Sequence, residues 1–301
     1  MKQVKIWMEC ARLRTLPVSL SGVVLSIALT WWMGAVKWLP AVLCLMFALL
    51  AQVVSNFANE YYDYKRGADK VGRVGPRRGV TEGDIRPATL KNVTMATLVV
   101  DVLIGLCLIY YGGWWMLPLG IVITLAAIAY SAGPYPLSYH GLGELAVFIF
   151  FGVIPVVFTH YVQTNRFHPF ILLAGMAIGF MAVNVLLVNN YRDMDDDREA
   201  NKRTSVVIFG RKPAAAAYLI NGYVAMALLT PMWVLAIMGV NGLRWTIAAP
   251  VIYLLLHTVA WQRLTVRDGA ALNPLLGATA RNMLLFTVLF TIGLILSHWS
   301  A

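Results

Sequence analysis

Nine runs of roughly 17–22 mostly apolar residues divide this chain, near 16–33, 39–61, 94–111, 114–131, 145–162, 169–188, 214–238, 243–261 and 282–299. A helix needs about 20 such residues to cross a bilayer. Within hydrocarbon, only helices and closed barrels satisfy their own backbone polar groups. The expected fold is therefore all-α and integral to the membrane: nine transmembrane helices in one bundle, with loops capping a site at one end and the lipid bilayer as its surroundings. The first run follows Lys2, Lys5, Arg12 and Arg14 in the manner of a signal peptide. It is as long as a span and lacks a small-x-small cleavage site, so it is read as the first span.

Charge fixes the orientation. Only 13% of residues are charged, against about 25% in soluble domains. The net charge of +10 would suit nucleic acid if it were spread over a surface. Instead, all 24 lysines and arginines except Lys37, Arg166 and Arg244 fall in the N-terminal tail or beside the loops after spans 2, 6 and 8. That is the positive-inside pattern of a membrane protein, not a nucleic-acid surface, and it places those loops in the cytoplasm. The expected location is the cell (plasma or inner) membrane. Cys10, Cys44 and Cys107 have no metal spacing and read as packing residues.

Two acidic segments end spans 2 and 6. Asn56, Asn59 and Asp63 recur at i, i+3 and i+7, as do Asn190, Asp193 and Asp197. At 3.6 residues per turn each set makes a stripe of oxygen ligands along one helix face. Four spans separate the stripes, so both emerge on the same face and leave helices that run the same way, which fits an internal four-helix pseudo-repeat. Mg²⁺ takes a few carboxylates plus phosphate oxygens rather than a full protein cage. Two stripes amid lysines and arginines point to Mg²⁺ and a diphosphate. Asn59, Asp63, Asp193 and Asp197 are the candidate metal ligands. Asn56, Lys65, Arg66, Lys70, Arg73, Arg77, Arg78 and Lys202 are the candidate diphosphate binders. Acids that merely pair with loop cations would explain one such cluster, but not two matched ones.

The loop after span 4, from Tyr130 to Glu144, carries Tyr130, Tyr135 and Tyr139 among prolines and glycines. These rings suit an interfacial belt and equally a site that stabilises a cation. Within the spans, Asp101, Asn184 and His257 are the conspicuous polar groups, and intramembrane charge is usually functional.

The spacing Asn59-x3-Asp63-x5-Asp69 with Asn190-x2-Asp193-x3-Asp197 resembles the UbiA superfamily of membrane aromatic prenyltransferases over nearly the whole chain, taken as one domain, 1–301. The segments 55–63, 75–79, 133–136, 141–144 and 189–193 resemble its 1,4-dihydroxy-2-naphthoate polyprenyltransferase branch. That resemblance implies an enzyme. Mg²⁺ holds a polyprenyl diphosphate, the allylic C–O bond breaks with carbocation character, and 1,4-dihydroxy-2-naphthoate is alkylated with loss of CO₂. The product is demethylmenaquinol, on the route to menaquinone. The resemblance adds Asp69 to the metal ligands Asn59, Asp63, Asp193 and Asp197; Asp63, Asp193 and Asn190 are then the central catalytic candidates, with Tyr130, Tyr135 and Tyr191 stabilising the cation or lining the acceptor pocket. Another aromatic acceptor, such as 4-hydroxybenzoate, is the alternative. A transporter is the remote one, since it would place polar groups and broken helices at the midplane.

Overall fold

The computed structural model describes residues 2–69, 71–72, 74–239 and 243–299. The expected helical membrane bundle is present. Eight helical segments are long and apolar enough to span, and a shorter apolar helix lies between the third and fourth of them. In chain order the helices are α1 (Lys2–Cys10), α2 (Leu16–Trp32), α3 (Trp38–Lys65), α4 (Pro87–Gly112) and α5 (Met116–Ala129). They continue as α6 (Gly143–Val147), α7 (Ile154–Thr164), α8 (Pro169–Arg192), α9 (Met194–Glu199), α10 (Ser205–Phe209), α11 (Arg211–Ile237), α12 (Ala248–Thr265) and α13 (Asn273–Trp299).

Packing follows from composition. α8 is the central helix, with 72% of its most apolar window buried, whereas α4 buries only 11% and faces outward. α8 packs on α11, α2 on α13, α3 on α4, and α12 on α13. The main core gathers Leu29, Ile178, Tyr218, Phe286 and Phe290, all essentially inaccessible.

Three departures from the expected spans have local causes. The fourth apolar run yields only the 14 residues of α5. At 1.5 Å per residue that is about 21 Å, short of a ~30 Å hydrocarbon core. Gly113, at φ 84°, breaks the chain before it, and Tyr130 turns into the Gly133–Pro134 loop after it. The fifth span is not a uniform helix, because Phe148–Val153 forms a π turn between α6 and α7. Pro155 has no N–H for the Phe151 carbonyl, so the helix widens ahead of it. The last helix begins at Asn273 rather than near 282, running through Arg281 below the apolar stretch.

Glycines let the widened segment reach the centre. A Cβ on Gly152 would stand 2.2 Å from the Gly179 Cα of α8, so these backbones touch only because neither residue has a side chain. Of the intramembrane polar groups, His257 stacks between Tyr218 and Tyr253 at centroid distances of 4.8 and 5.5 Å, and Asn184 donates to the Tyr218 carbonyl at 3.0 Å. Both serve helix packing. Asp101 is buried in α4, outside the cavity described next. All three cysteines are free; Cys10 and Cys44 are buried and Cys107 is exposed.

Candidate active site

The ends of α3 and α8, the segment after α1 and the loops after α3, α5 and α8 enclose a cavity of about 740 Å³. Gln52, Ser55, Tyr130 and Phe151 wall both this polar chamber and an apolar channel of about 120 Å³. The channel runs on between Phe47, Leu108, Ile123, Pro155 and Phe158.

α3 supplies the first stripe. Asn56, Asn59 and Asp63 are all buried and all line the cavity, as continuous helix through Lys65 requires. Asn59 Oδ1 accepts from the guanidinium of Arg12 and, at 3.3 Å, from Arg78 Nη2, while its Nδ2 donates to Ser131 Oγ at 3.0 Å. Asn56 Nδ2 donates to the Ala11 carbonyl at 3.0 Å, which holds the N-terminal segment across the chamber. Tyr139 donates to Asp63 Oδ1 at 3.1 Å. Arg78 pairs with Asp69 at 3.1 Å. Burial alone would weaken the charge on Arg78, but Asp69, Glu60, Asp63 and Asp193 outweigh it and hold the guanidinium firmly protonated. Beneath it, the fully buried Glu60 accepts from Val80 N–H at 3.1 Å and from the Cys10 thiol at 3.4 Å.

The second stripe is built differently from the expected unbroken helix face. α8 ends at Arg192, Asp193 leaves helical geometry at ψ 9°, and α9 resumes at Met194. The path still holds, because Asp193 N–H donates to Asn189 O at 3.0 Å and Asp197 N–H to Asp193 O at 2.8 Å. Arg192 clamps Asp193 with two hydrogen bonds, Nε to Oδ1 at 2.6 Å and Nη2 to Oδ2 at 2.7 Å. Its remaining donors reach Asn189 Oδ1 at 2.8 Å and Asn273 Oδ1 at 3.1 Å. Asn273 Nδ2 in turn donates to Val74 O at 3.0 Å, tying the start of α13 to the loop after α3.

Lys202 pairs with Asp197 at 3.3 Å. Burial, opposed by Lys202 and reinforced by repulsion from Asp193 and Asp63, leaves the Asp197 carboxyl pushed up to about 6. Burial disfavours the charge on Lys202, yet Asp197 and Asp63 hold its pKa above the ordinary lysine value. Acids of α3 and of the α8–α9 corner therefore share one field across the chamber, where a cation between them relieves their repulsion.

These donors fit Mg²⁺ as partial ligand sets. Asp197 Oδ2 is buried with no hydrogen-bond donor among the described residues. Among the described residues no three His, Cys, Asp or Glu side chains form a complete metal site by themselves. Oxygen donors in small groups beside a polar chamber suit an ion that draws its other ligands from phosphate and water.

The structure gathers Asn56, Asn59, Asp63, Asp69, Arg77, Arg78, Tyr130, Asn190, Asp193, Asp197 and Lys202 around the wall of one cavity. Arg77 also pairs with Asp84 at 2.5 Å. Four other sequence candidates lie off that wall. Lys65 points outward from the last turn of α3. Arg66 donates to the carbonyls of Ser131 and Gly133, so it fastens two loops together instead of facing the chamber. Tyr135 is 59% exposed and stacks on His140 at 3.5 Å. Tyr191 turns into the core beneath Arg211, whose guanidinium lies 5.7 Å from its ring centroid. Lys70 and Arg73 lie outside the described residues.

Sequence reasoning passed over Arg12, Arg192 and Glu144, and it offered Tyr139 only as a ring, whereas its hydroxyl donates to Asp63. Arg192 and Glu144 stand inside segments already marked by the branch resemblance, which was their available signal. Arg12 had none beyond its charge.

A model of the UbiA prenyltransferase family matches residues 19–286. The chain is 34% identical to the 1,4-dihydroxy-2-naphthoate octaprenyltransferase of Escherichia coli (strain K12), across 99% of this chain and 98% of that protein. It is also 34% identical to the protein of the same name from Mycobacterium tuberculosis, across 94% of each. Among solved structures, a UbiA homolog from Aeropyrum pernix K1 has a similar fold, with TM-score 0.67 at 15% identity over 97% of this chain and 98% of that one. So does a UbiA homolog from Archaeoglobus fulgidus bound to DMAPP and Mg²⁺, with TM-score 0.63 at 16% identity over 95% and 99%. With the helical bundle, the paired acidic stripes and a family match over most of its length, this chain belongs to the UbiA prenyltransferase family.

Proposed function

We propose that this prenyl-transferring enzyme moves a polyprenyl group from its diphosphate to 1,4-dihydroxy-2-naphthoate with loss of CO₂, giving demethylmenaquinol for menaquinone synthesis. The observation that carries this reading is the meeting of two acidic stripes over a polar chamber that continues into an apolar channel. One end suits a diphosphate and the other a hydrocarbon chain. The acceptor rests on the full-length relatives, which carry that acceptor in their names.

Asp63, Asp193 and Asp197, with Asn59 and Asp69, would hold Mg²⁺, and Arg78 and Lys202 would face the diphosphate oxygens. When bound, Mg²⁺ neutralises charge growing on the departing diphosphate. The chain's own buried cations add fixed positive charge in a region of low dielectric, where each counts for more than in water. Arg192 keeps Asp193 in one rotamer, and Tyr130 offers a ring where the polar chamber meets the channel. The apolar walls exclude water, which would otherwise capture an allylic cation. We place the enzyme in the cell membrane with the chamber toward the cytoplasm, on the distribution of lysine and arginine.

The test offers purified protein, Mg²⁺ and one labelled polyprenyl diphosphate with 1,4-dihydroxy-2-naphthoate and 4-hydroxybenzoate in separate reactions, following prenylated product and CO₂. The naphthoate is expected to turn over faster and to release CO₂ with each prenylation. Faster prenylation of 4-hydroxybenzoate, or a naphthoate product that keeps its carboxylate, moves the enzyme to another acceptor.

A further inference from the structure

Not every carboxylate on the chamber wall is claimed by the metal and diphosphate assignment above. Glu144, in the first turn of α6, lines the cavity. Its Oε1 accepts from Asn190 Nδ2 at 2.9 Å and from Ser205 Oγ at 2.5 Å. Unlike Asp69, Asp193 and Asp197, it has no lysine or arginine at ion-pair distance among the described residues. Its Oε2 has no hydrogen-bond donor among those residues and is not sealed away from the chamber, so it remains reachable. A carboxylate with one oxygen pinned and the other open is poised to accept from something that enters the chamber.

Its depth says what that is. Asn190 precedes Asp193 by three residues on α8, so Glu144 is anchored roughly 4.5 Å further along the helix axis, toward the membrane interior. Tyr130 stands at the same level. Its hydroxyl would be 3.5 Å from a Cβ on Gly143, and the charges of Lys202, Glu144 and Arg12 all act on it. Tyr130 also walls both the chamber and the channel. With the diphosphate at the aspartates and the hydrocarbon in the channel, C1 of the prenyl group falls between them, at the level of Tyr130 and Glu144. The attacking ring must lie beside that carbon.

We propose that Glu144 is a catalytic residue that receives a ring hydroxyl of the aromatic acceptor, with Asn190 and Ser205 as its positioning residues. The proposal rests on the prenyl-transfer reading above. Oε2 takes the hydroxyl proton, and the electron pair left on the ring oxygen moves through the ring to bond the carboxylate-bearing carbon to C1. The C1–O pair leaves with the diphosphate. The carboxylate departs as CO₂, returning its bonding pair to the ring, and the proton goes back from Glu144 to the ring oxygen. No further reactant is needed.

Glu144→Gln keeps the shape and a hydrogen-bond acceptor but removes the base. It is expected to lower kcat by about 10²-fold. Its affinity for an unreactive prenyl thiolodiphosphate with Mg²⁺ should stay within about twofold, as for a residue outside the diphosphate site. The discriminating measurement repeats the assay with the two monomethyl ethers of the dihydroxynaphthoate. In the wild type, one ether should lose turnover about as severely as the substitution does. In Glu144→Gln that ether should be no worse than the free hydroxyl, since both changes remove the same interaction. Additive losses, an unchanged kcat, or an equal fall in thiolodiphosphate affinity would overturn the assignment. If Glu144→Gln cannot be extracted folded, Ser205→Ala must show a smaller loss of kcat with thiolodiphosphate affinity intact, and an unchanged kcat there counts against the proposal. Wild-type protein that prenylates no aromatic phenol would sink the prenyl-transfer reading and this one with it. Normal wild-type turnover with a silent Glu144→Gln sinks this one alone.

Discussion

Two guanidinium groups converge on one amide oxygen in the chamber wall. Arg12 and Arg78 both donate to Asn59 Oδ1, so that asparagine fixes the placement of positive charge. Arg192 does the converse at the second stripe, holding the anion Asp193 through a two-point fork. Replacing Asp63 or Asp193 with alanine is expected to lower turnover by about 10²-fold or more, the scale of losing one preorganised electrostatic group. Mg²⁺-dependent binding of an unreactive prenyl diphosphate analogue should weaken alongside, while extraction and helix content stay normal. Near-wild-type turnover at limiting Mg²⁺ in either variant would refute the two-stripe site. Arg192→Lys should also lose activity, because an ammonium keeps the charge and not the fork. The stripes were legible in the sequence because helical spacing places i, i+3 and i+7 together whatever the tertiary fold. Arg12 was not: it reaches Asn59 from 47 residues away, through a left-handed turn at φ 52°. Lys65 and Arg66 show the same limit from the other side. Their charge was visible, but the direction of each side chain depends on how the loop folds back.

At the level of elements, the π turn in the fifth span decides how closely the cavity wall approaches α8. Phe150, Phe151 and Pro155 line the channel from this segment, and Gly152 lets it press on Gly179. Gly152→Ala would set a methyl 2.2 Å from a backbone atom that cannot swing aside. Overpacking of a well-filled core costs about 1–3 kcal/mol, and a backbone clash belongs at the upper end. The variant should therefore melt at lower temperature in detergent and lose turnover as the channel wall shifts. Gly120→Ala is the control: nothing lies within 4 Å of its added carbon, and alanine suits a helix better than glycine. A Gly152→Ala protein as stable as Gly120→Ala would refute the contact. The apolar runs gave away the number of segments but not this detail. The π turn comes from Pro155 acting on a carbonyl four residues earlier, and the shortness of α5 from breaks at both ends, neither of which alters hydropathy.

For the whole molecule, the orientation proposed for the chamber rests on charge that the bundle cannot bury. The tail and the loops after α3 and α8 carry most of the lysine and arginine, and both acidic stripes end on that side. Lys37, Arg166 and Arg244 lie at the opposite ends of the spans, where the Lys37 backbone N–H donates to Gln163 Oε1 of α7 at 3.2 Å. A membrane inserted the other way would have to translocate nearly every cation in the chain, against the bias that sets topology. Lys65→Cys and Arg198→Cys, both exposed near the stripes, and Arg166→Cys on the far side make the probes. The background replaces the exposed Cys107 and leaves Cys44 buried. Cys10 needs no replacement, since burial, reinforced by Glu60, pushes its thiol up to about 12, so it stays protonated and unreactive at pH 7–8. In intact cells an impermeant thiol reagent should label Arg166→Cys alone, and opening the cells should add the other two. Labelling of Lys65→Cys or Arg198→Cys before the cells are opened would put the chamber on the outer face. A diphosphate made inside the cell could then reach Asp63 and Asp193 only by first crossing the bilayer, at the cost that hydrocarbon sets on several unpaired charges.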